Sequence, residues 1–118
     1  MQVSVQTGEL KESSAKAIIV TVFEGANTPT GAAAEVDAAL GGAISQLLQQ
    51  GDVKGKRNET TLVHTLGRIP SPRVLVLGLG KSDAFNGQVL RNALAVGARY
   101  LRRVGAETVA VCADASLE

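Results

Sequence analysis

Hydrophobic residues along the chain form short runs that are separated by longer stretches of helical spacing. Val3 and Val5 alternate with polar residues, a period of two that predicts a half-buried strand. Further segments of strand length and composition follow at 17–23, 60–66, 73–80 and 108–112. The run at 73–80 is the most uniformly apolar, so we expect it at the centre of a sheet with both faces covered.

Two stretches change to the spacing of an amphipathic helix. From about Thr30 onward, apolar residues recur every three or four positions and predict one helix that ends at Gly51. Gly41 and Gly42 interrupt this helix at roughly 1 kcal/mol each relative to Ala, which indicates close backbone packing or a kink. The same spacing predicts a second helix over 86–104, with Gly105 as its C-terminal stop.

The order β, β, α, β, β, α, β predicts an α/β fold, in which helices flank a mixed, largely parallel sheet. The 118 residues have the length of one domain, 1–118, and their net charge of +1 provides no overall field that would attract nucleic acid or an anionic membrane. The apolar runs are far shorter than the roughly 20 residues of a membrane span. Because Cys112 is the only cysteine and no signal-like segment opens the chain, we expect a cytoplasmic protein with no membrane partner.

The loop from Gly78 to Asp83 leaves the predicted central strand and leads into the second helix, where backbone N–H groups can bind a phosphate. Its candidate anion-binding residues are Gly78, Gly80, Lys81 and Ser82. Two nucleotide-binding motifs fail here: Leu75 stands where a P-loop requires its first Gly, and Asp83 stands where a dinucleotide fingerprint requires its third. The mismatches favour a tight exit from the strand over a nucleotide site.

The second helix carries a basic stripe opposite its apolar side. The members of this arginine stripe are Arg91, Arg99, Arg102 and Arg103. Nucleic-acid phosphate, an acidic protein and a neighbouring subunit are its candidate partners, while a solvated face is the commoner role of such a stripe. Nucleic acid is not favoured, because the chain contains only three aromatic residues on which bases could stack.

No other side chains form a recognisable catalytic or metal-binding pattern. His64 is the only histidine and shares a strand face with Leu62 and Leu66, so we expect a partly buried, hydrogen-bonded side chain and not a zinc ligand. Cys112 has no basic neighbour in the sequence and is typical of a small buried residue. The carboxylates are scattered and form no acid–base or metal-binding pair.

Several segments, in order, resemble the N-terminal domain of the cytosolic leucyl aminopeptidases. They are Thr-Gly-Ala-Ala-Ala-Glu-Val-Asp-Ala-Ala-Leu-Gly-Gly-Ala-Ile at 30–44, Gly-Asp-Val-Lys-Gly-Lys at 51–56, the segment at 59–66, and Val-Leu-Val-Leu-Gly-Leu-Gly-Lys at 74–81. The resemblance implies a macrodomain-like three-layer sandwich. It also implies a separate catalytic domain that holds two divalent metals, zinc or manganese, and removes N-terminal amino acids from peptides.

That family's catalytic signature, of the type Asn-Thr-Asp-Ala-Glu-Gly-Arg, is absent from this sequence. We therefore expect no catalytic residue, metal ligand or cofactor in this chain. The resemblance implies a non-catalytic assembly or regulatory domain whose partners are the catalytic domain and further copies of the parent chain. It leaves open a truncation at the C-terminal end. The alternatives are a stand-alone module that binds a nucleotide or ADP-ribose, and an accessory domain that contacts DNA.

Overall fold

The two most apolar runs of the sequence pair with each other inside a sheet that has five strands in the described part of the chain. In the computed structural model, which describes residues 2–6 and 10–112, the strand order is β1-β5-β2-β4-β3. The strands are β1 (Gln2–Gln6), β2 (Ala17–Val22), β3 (Thr60–His64), β4 (Arg73–Gly78) and β5 (Thr108–Cys112). All pairings are parallel except that of β3 with β4, so the mixed, largely parallel sheet is confirmed.

Three α-helices of the described residues cover the two faces of this sheet, as its buried central strands require. They are α1 (Gly31–Ala39), α2 (Ala43–Gln50) and α3 (Gly87–Arg103). On one face, Val36 of α1 and Ile44 of α2 pack with Ile18 and other residues of β2 and β4. On the opposite face, Leu101 of α3 packs with Leu75 and other strand residues. The result is a three-layer sandwich with one apolar cluster on each side of the sheet.

The helix predicted from Thr30 to Gly51 is wrong as a single element, because the chain breaks it at the glycine pair. Gly41 and Gly42 have φ angles of 69° and 86°, in the left-handed region that ends one helix and redirects the chain before the next. Gly51, at φ 81°, ends α2 as predicted. Of the two explanations offered for Gly41 and Gly42, close backbone packing or a kink, the structure supports the kink, because the chain changes direction there.

The strand predicted over 60–66 is two residues shorter than expected, and this changes the surroundings of the only histidine. Leu66 has a φ of 54° and lies in the turn after β3, so it does not continue the strand face that it was expected to share with His64. His64 is the last residue of β3 and is exposed. The prediction of a partly buried His64 is therefore wrong, because β3 is an edge strand that ends at this residue and leaves its side chain uncovered.

Candidate functional site

The carboxyl ends of β2 and β4 meet the loop that precedes β3, and their backbones are locked together there. The N–H of Gly78 donates to the carbonyl of Glu59 at 2.8 Å. The next two N–H groups donate to the carbonyls of Val22 and Gly55, each at 2.9 Å. Gly78 and Gly55 also lie too close to neighbouring backbone for any Cβ to fit. Three segments that are distant in sequence therefore close this end of the sheet.

These hydrogen bonds bear directly on the predicted anion-binding loop. Gly78 and Gly80 are buried, and their N–H groups already have backbone acceptors. Lys81 and Ser82 are exposed at the start of a short 3-10 turn, so the structure places the four candidate residues in two different environments. Anion binding by this loop stays a prediction, and it would depend on Lys81 and Ser82.

Two further backbone N–H groups at this end of the sheet, those of Lys54 and Gly55, form a cradle that is filled by a side chain of the protein itself. One carboxylate oxygen of Glu59 accepts hydrogen bonds from the backbone N–H groups of Lys54 and Gly55, both at 2.9 Å. Two consecutive N–H groups directed at one oxygen are the arrangement with which proteins bind phosphate. Sequence reasoning missed this role of Glu59, since its partners lie in a loop that no periodic pattern describes.

A shallow crevice of about 290 Å³ lies next to this cradle, between the loop after β2 and the end of α2. Glu24, Lys54 and Lys56 line it, together with apolar side chains that include Leu48. The two lysines and the glutamate give the crevice mixed charge. It does not contain the candidate residues Gly78 to Ser82.

The predicted arginine stripe lies on α3, which begins at an Asn86 cap whose side chain accepts from the N–H of Val89 at 3.0 Å. All four arginines are exposed, and α3 contains no acidic residue. Arg91 donates a hydrogen bond to the Gln88 side chain at 3.1 Å. The stripe thus places four exposed arginines on one helix, and its binding role stays a prediction.

No metal site emerges within residues 2–6 and 10–112, where no three His, Cys, Asp or Glu side chains lie close enough together to hold an ion. The side chain of Cys112 falls outside the part that the structure describes, as do Glu9, Asp114 and Glu118. None of the described helices combines the length and the apolar character needed to cross a bilayer.

Comparison with solved structures shows which fold the chain has. The macrodomain of Mycobacterium tuberculosis DarG matches with a TM-score of 0.71 at 18% identity, covering 93% of this chain and 74% of that one. A mutant of tomato leucine aminopeptidase matches with a TM-score of 0.69 at 16% identity, covering 94% of this chain and 22% of that one. At such identities the likeness shows the fold alone, which is that of a macrodomain-like α/β domain.

Comparison of sequences then gives the family. Residues 19–117 match the N-terminal domain of the cytosol aminopeptidase family. A probable cytosol aminopeptidase of Alkaliphilus metalliredigens is 38% identical over 94 residues, which are 80% of this chain and 19% of the relative. That of Alkaliphilus oremlandii is 31% identical over 113 residues, 96% of this chain and 23% of the relative. The chain therefore belongs to the cytosol aminopeptidase family and corresponds to its N-terminal domain. It spans about a fifth of the length of these curated relatives.

Proposed function

We propose that residues 1–118 form one non-catalytic domain of a metal-dependent aminopeptidase that removes N-terminal amino acids from peptides. The observation that carries this proposal is the match of residues 19–117 to the family's N-terminal domain, in a chain that covers 19% and 23% of two relatives. Those relatives are named cytosol aminopeptidases, which supports a cytoplasmic location for the parent protein.

The metals of the proposed parent enzyme, zinc or manganese, do not fit the residues described here. A pair of divalent ions needs several carboxylate, lysine or imidazole ligands that converge on one point. No three His, Cys, Asp or Glu side chains converge within residues 2–6 and 10–112, and Glu59 is engaged by backbone N–H groups. We therefore assign the metals and the peptidase chemistry to the remainder of the parent chain.

In this proposal the domain contributes surfaces for assembly. Its partners are the catalytic domain of the same chain and further copies of the parent in a homo-oligomer. The arginine stripe on α3 and the β1 edge of the sheet are candidate surfaces for such contacts.

An activity assay tests the non-catalytic role. The purified 118-residue chain, incubated with leucine p-nitroanilide and manganese or zinc, should release nitroaniline at the rate of the buffer blank. The matched control is the full-length parent protein, which should turn over the substrate and lose that activity with EDTA. Metal-dependent turnover that persists when the short chain is repurified would overturn the proposal.

The assembly role is tested by removing the domain from the full-length parent protein. We expect the truncated enzyme to retain arylamide hydrolysis while its sedimentation coefficient falls to that of a smaller assembly. Loss of hydrolysis from a truncated enzyme that keeps its fold and its oligomeric state would instead place part of the reaction chemistry in this domain.

A further inference from the structure

Within residues 2–6 and 10–112, strand β3 forms one edge of the sheet. Among the described residues β3 pairs with β4 alone, and the register from Thr60 opposite Leu77 to His64 opposite Arg73 contains no bulge. The strand also contains no proline or lysine, two residue types that commonly protect sheet edges from pairing with other chains. β3 therefore offers a regular edge to which another extended segment can add.

The bonds at the two ends of β3 show which of its backbone groups face outward. The N–H of Thr65 donates to the carbonyl of Pro72 at 3.1 Å, and the carbonyl of Glu59 accepts from the N–H of Gly78 at 2.8 Å. In an antiparallel pair, residues that bond to the neighbouring strand alternate with residues that face away from it. Odd-numbered residues here bond to the β4 side. The N–H and C=O groups of the even-numbered residues therefore face the open edge, and these are Thr60, Leu62 and His64.

A groove of about 380 Å³ lies beside the end of this edge. Its apolar lining includes Leu40, Ala43 and Val63, its polar lining includes His64 and Arg68, and none of the described lining residues is acidic. The exposed Arg68 donates to the carbonyl of Leu40 at 3.0 Å, which holds its guanidinium group at the rim. A carboxylate is the group that complements such a rim, since arginine binds it through charge-assisted hydrogen bonds.

Leu66, which also lines the groove, combines two unfavourable features. Its side chain is 89% exposed, and its φ of 54° lies in the left-handed region that residues with a Cβ rarely adopt. An exposed leucine in a disfavoured conformation gains nothing from the fold as it stands. Such outliers cluster where proteins contact ligands, which fits a partner bound at this groove.

We propose that the β3 edge binds an extended acidic peptide segment as a sixth strand. Its backbone bonds to the outward groups of Thr60, Leu62 and His64, and a carboxylate reaches Arg68. A second copy of the chain fits less well. In a two-fold antiparallel pair centred on Leu62, the acidic residue nearest the groove would be Glu59 of the other copy, whose carboxylate already accepts from the N–H groups of Lys54 and Gly55.

A titration with two synthetic peptides tests the charge requirement. The probe is fluorescein-labelled Glu-Val-Thr-Val-Thr-Val-Glu, and its control replaces both glutamates with glutamine. We expect saturable binding of the acidic probe by fluorescence anisotropy, and about tenfold weaker binding of the neutral one. In the ¹⁵N spectrum of the labelled chain, the amides of Thr60, Leu62 and His64 should shift most.

Matched variants separate backbone pairing from side-chain contacts. His64→Pro removes an outward N–H that the β3–β4 ladder does not use, whereas His64→Ala removes the side chain alone. The proline variant should bind the acidic probe about tenfold more weakly than the alanine variant. Arg68→Gln should weaken binding of the acidic probe and leave binding of the neutral probe unchanged. Arg99→Gln on α3 should bind the acidic probe as tightly as the unmodified 118-residue chain does.

Three results would overturn the proposal. The first is no saturable binding of the acidic probe, and the second is equal affinity of the unmodified 118-residue chain for both probes. The third is a dimer in sedimentation velocity that His64→Pro abolishes, because the edge would then be occupied by a second copy. None of them bears on the peptidase assay, so the two proposals can fail separately.

Discussion

A single buried carboxylate decides how the first two helices join. Asp37, 8% exposed on α1, accepts from the N–H groups of Ile44 and Ser45 at 2.7 and 2.9 Å and from the Ser45 hydroxyl at 2.5 Å. The residue at the start of α2, Gly42, has no side chain with which to cap the helix. Asp37 therefore caps α2 from the preceding helix and places negative charge at its N-terminus.

Replacement of Asp37 should show how much this cap stabilises the fold. Asp37→Ala leaves two helix N–H groups without their acceptor, and we expect the free energy of unfolding to fall by about 2 kcal/mol. Urea denaturation followed by circular dichroism measures it. Glu35→Ala, an exposed change on the same helix, should stay within about 0.5 kcal/mol of the parent. A decrease in the free energy of unfolding for Asp37→Ala that is no larger than that for Glu35→Ala would contradict the capping role of Asp37.

At the scale of elements, β4 and the loop before β3 are shaped by the absence of side chains at their contact. A Cβ on Gly78 would overlap the carbonyl oxygen of Lys56, and one on Gly55 would overlap that of Phe23. The rings of Phe23 and Phe85 are nearly perpendicular, with their centroids 5.4 Å apart, and this contact ties the loops after β2 and β4 together. Close backbone approach is sufficient to explain why glycine stands at 55 and 78.

Two glycine-to-alanine changes should therefore have opposite effects. Gly78→Ala forces rigid backbone apart and should destabilise the protein by about 3 kcal/mol. Gly87→Ala lies in the first turn of α3, where the nearest atom is the flexible Arg91 guanidinium at 3.4 Å, and should stabilise it by up to about 1 kcal/mol. Thermal and urea unfolding of the pair would test this, and a loss at Gly78 no larger than that at Gly87 would contradict it.

At the scale of the whole molecule, two apolar clusters share one sheet. The cluster under α1 and α2 and the cluster under α3 are built from alternate residues of the same strands, such as Val76 and Leu77 of β4. Because neither cluster can lose its strands without exposing the other, we expect the two faces to unfold together.

A matched pair of leucines tests this cooperativity. Leu101→Ala removes a fully buried side chain from the α3 cluster and should lower the free energy of unfolding by about 2–5 kcal/mol. Leu66→Ala, at an exposed leucine, should change it by less than about 0.5 kcal/mol. Far-ultraviolet dichroism and the fluorescence of Tyr100 should report one midpoint in each variant. Separate midpoints would show that the two faces unfold independently.

The sequence by itself determined the types and order of the elements apart from the break between α1 and α2, since the apolar runs at 17–20 and 74–77 and the helical spacing over 86–104 lie in neighbouring residues. It also indicated the family, because ordered segments such as 30–44 and 74–81 resemble the N-terminal domain of the cytosol aminopeptidases. Both are local properties of the chain.

Only the tertiary structure decided where elements end and which polar groups are already satisfied. Gly80 donates to Gly55, and the Glu59 carboxylate fills the Lys54–Gly55 cradle; neither arrangement follows from the repeat of apolar residues. The exposure of His64 likewise depends on β3 lying at an edge, which is a property of strand order and not of the strand. Hydrogen-bond partners and edges arise from packing between distant segments, so local periodicity cannot specify them.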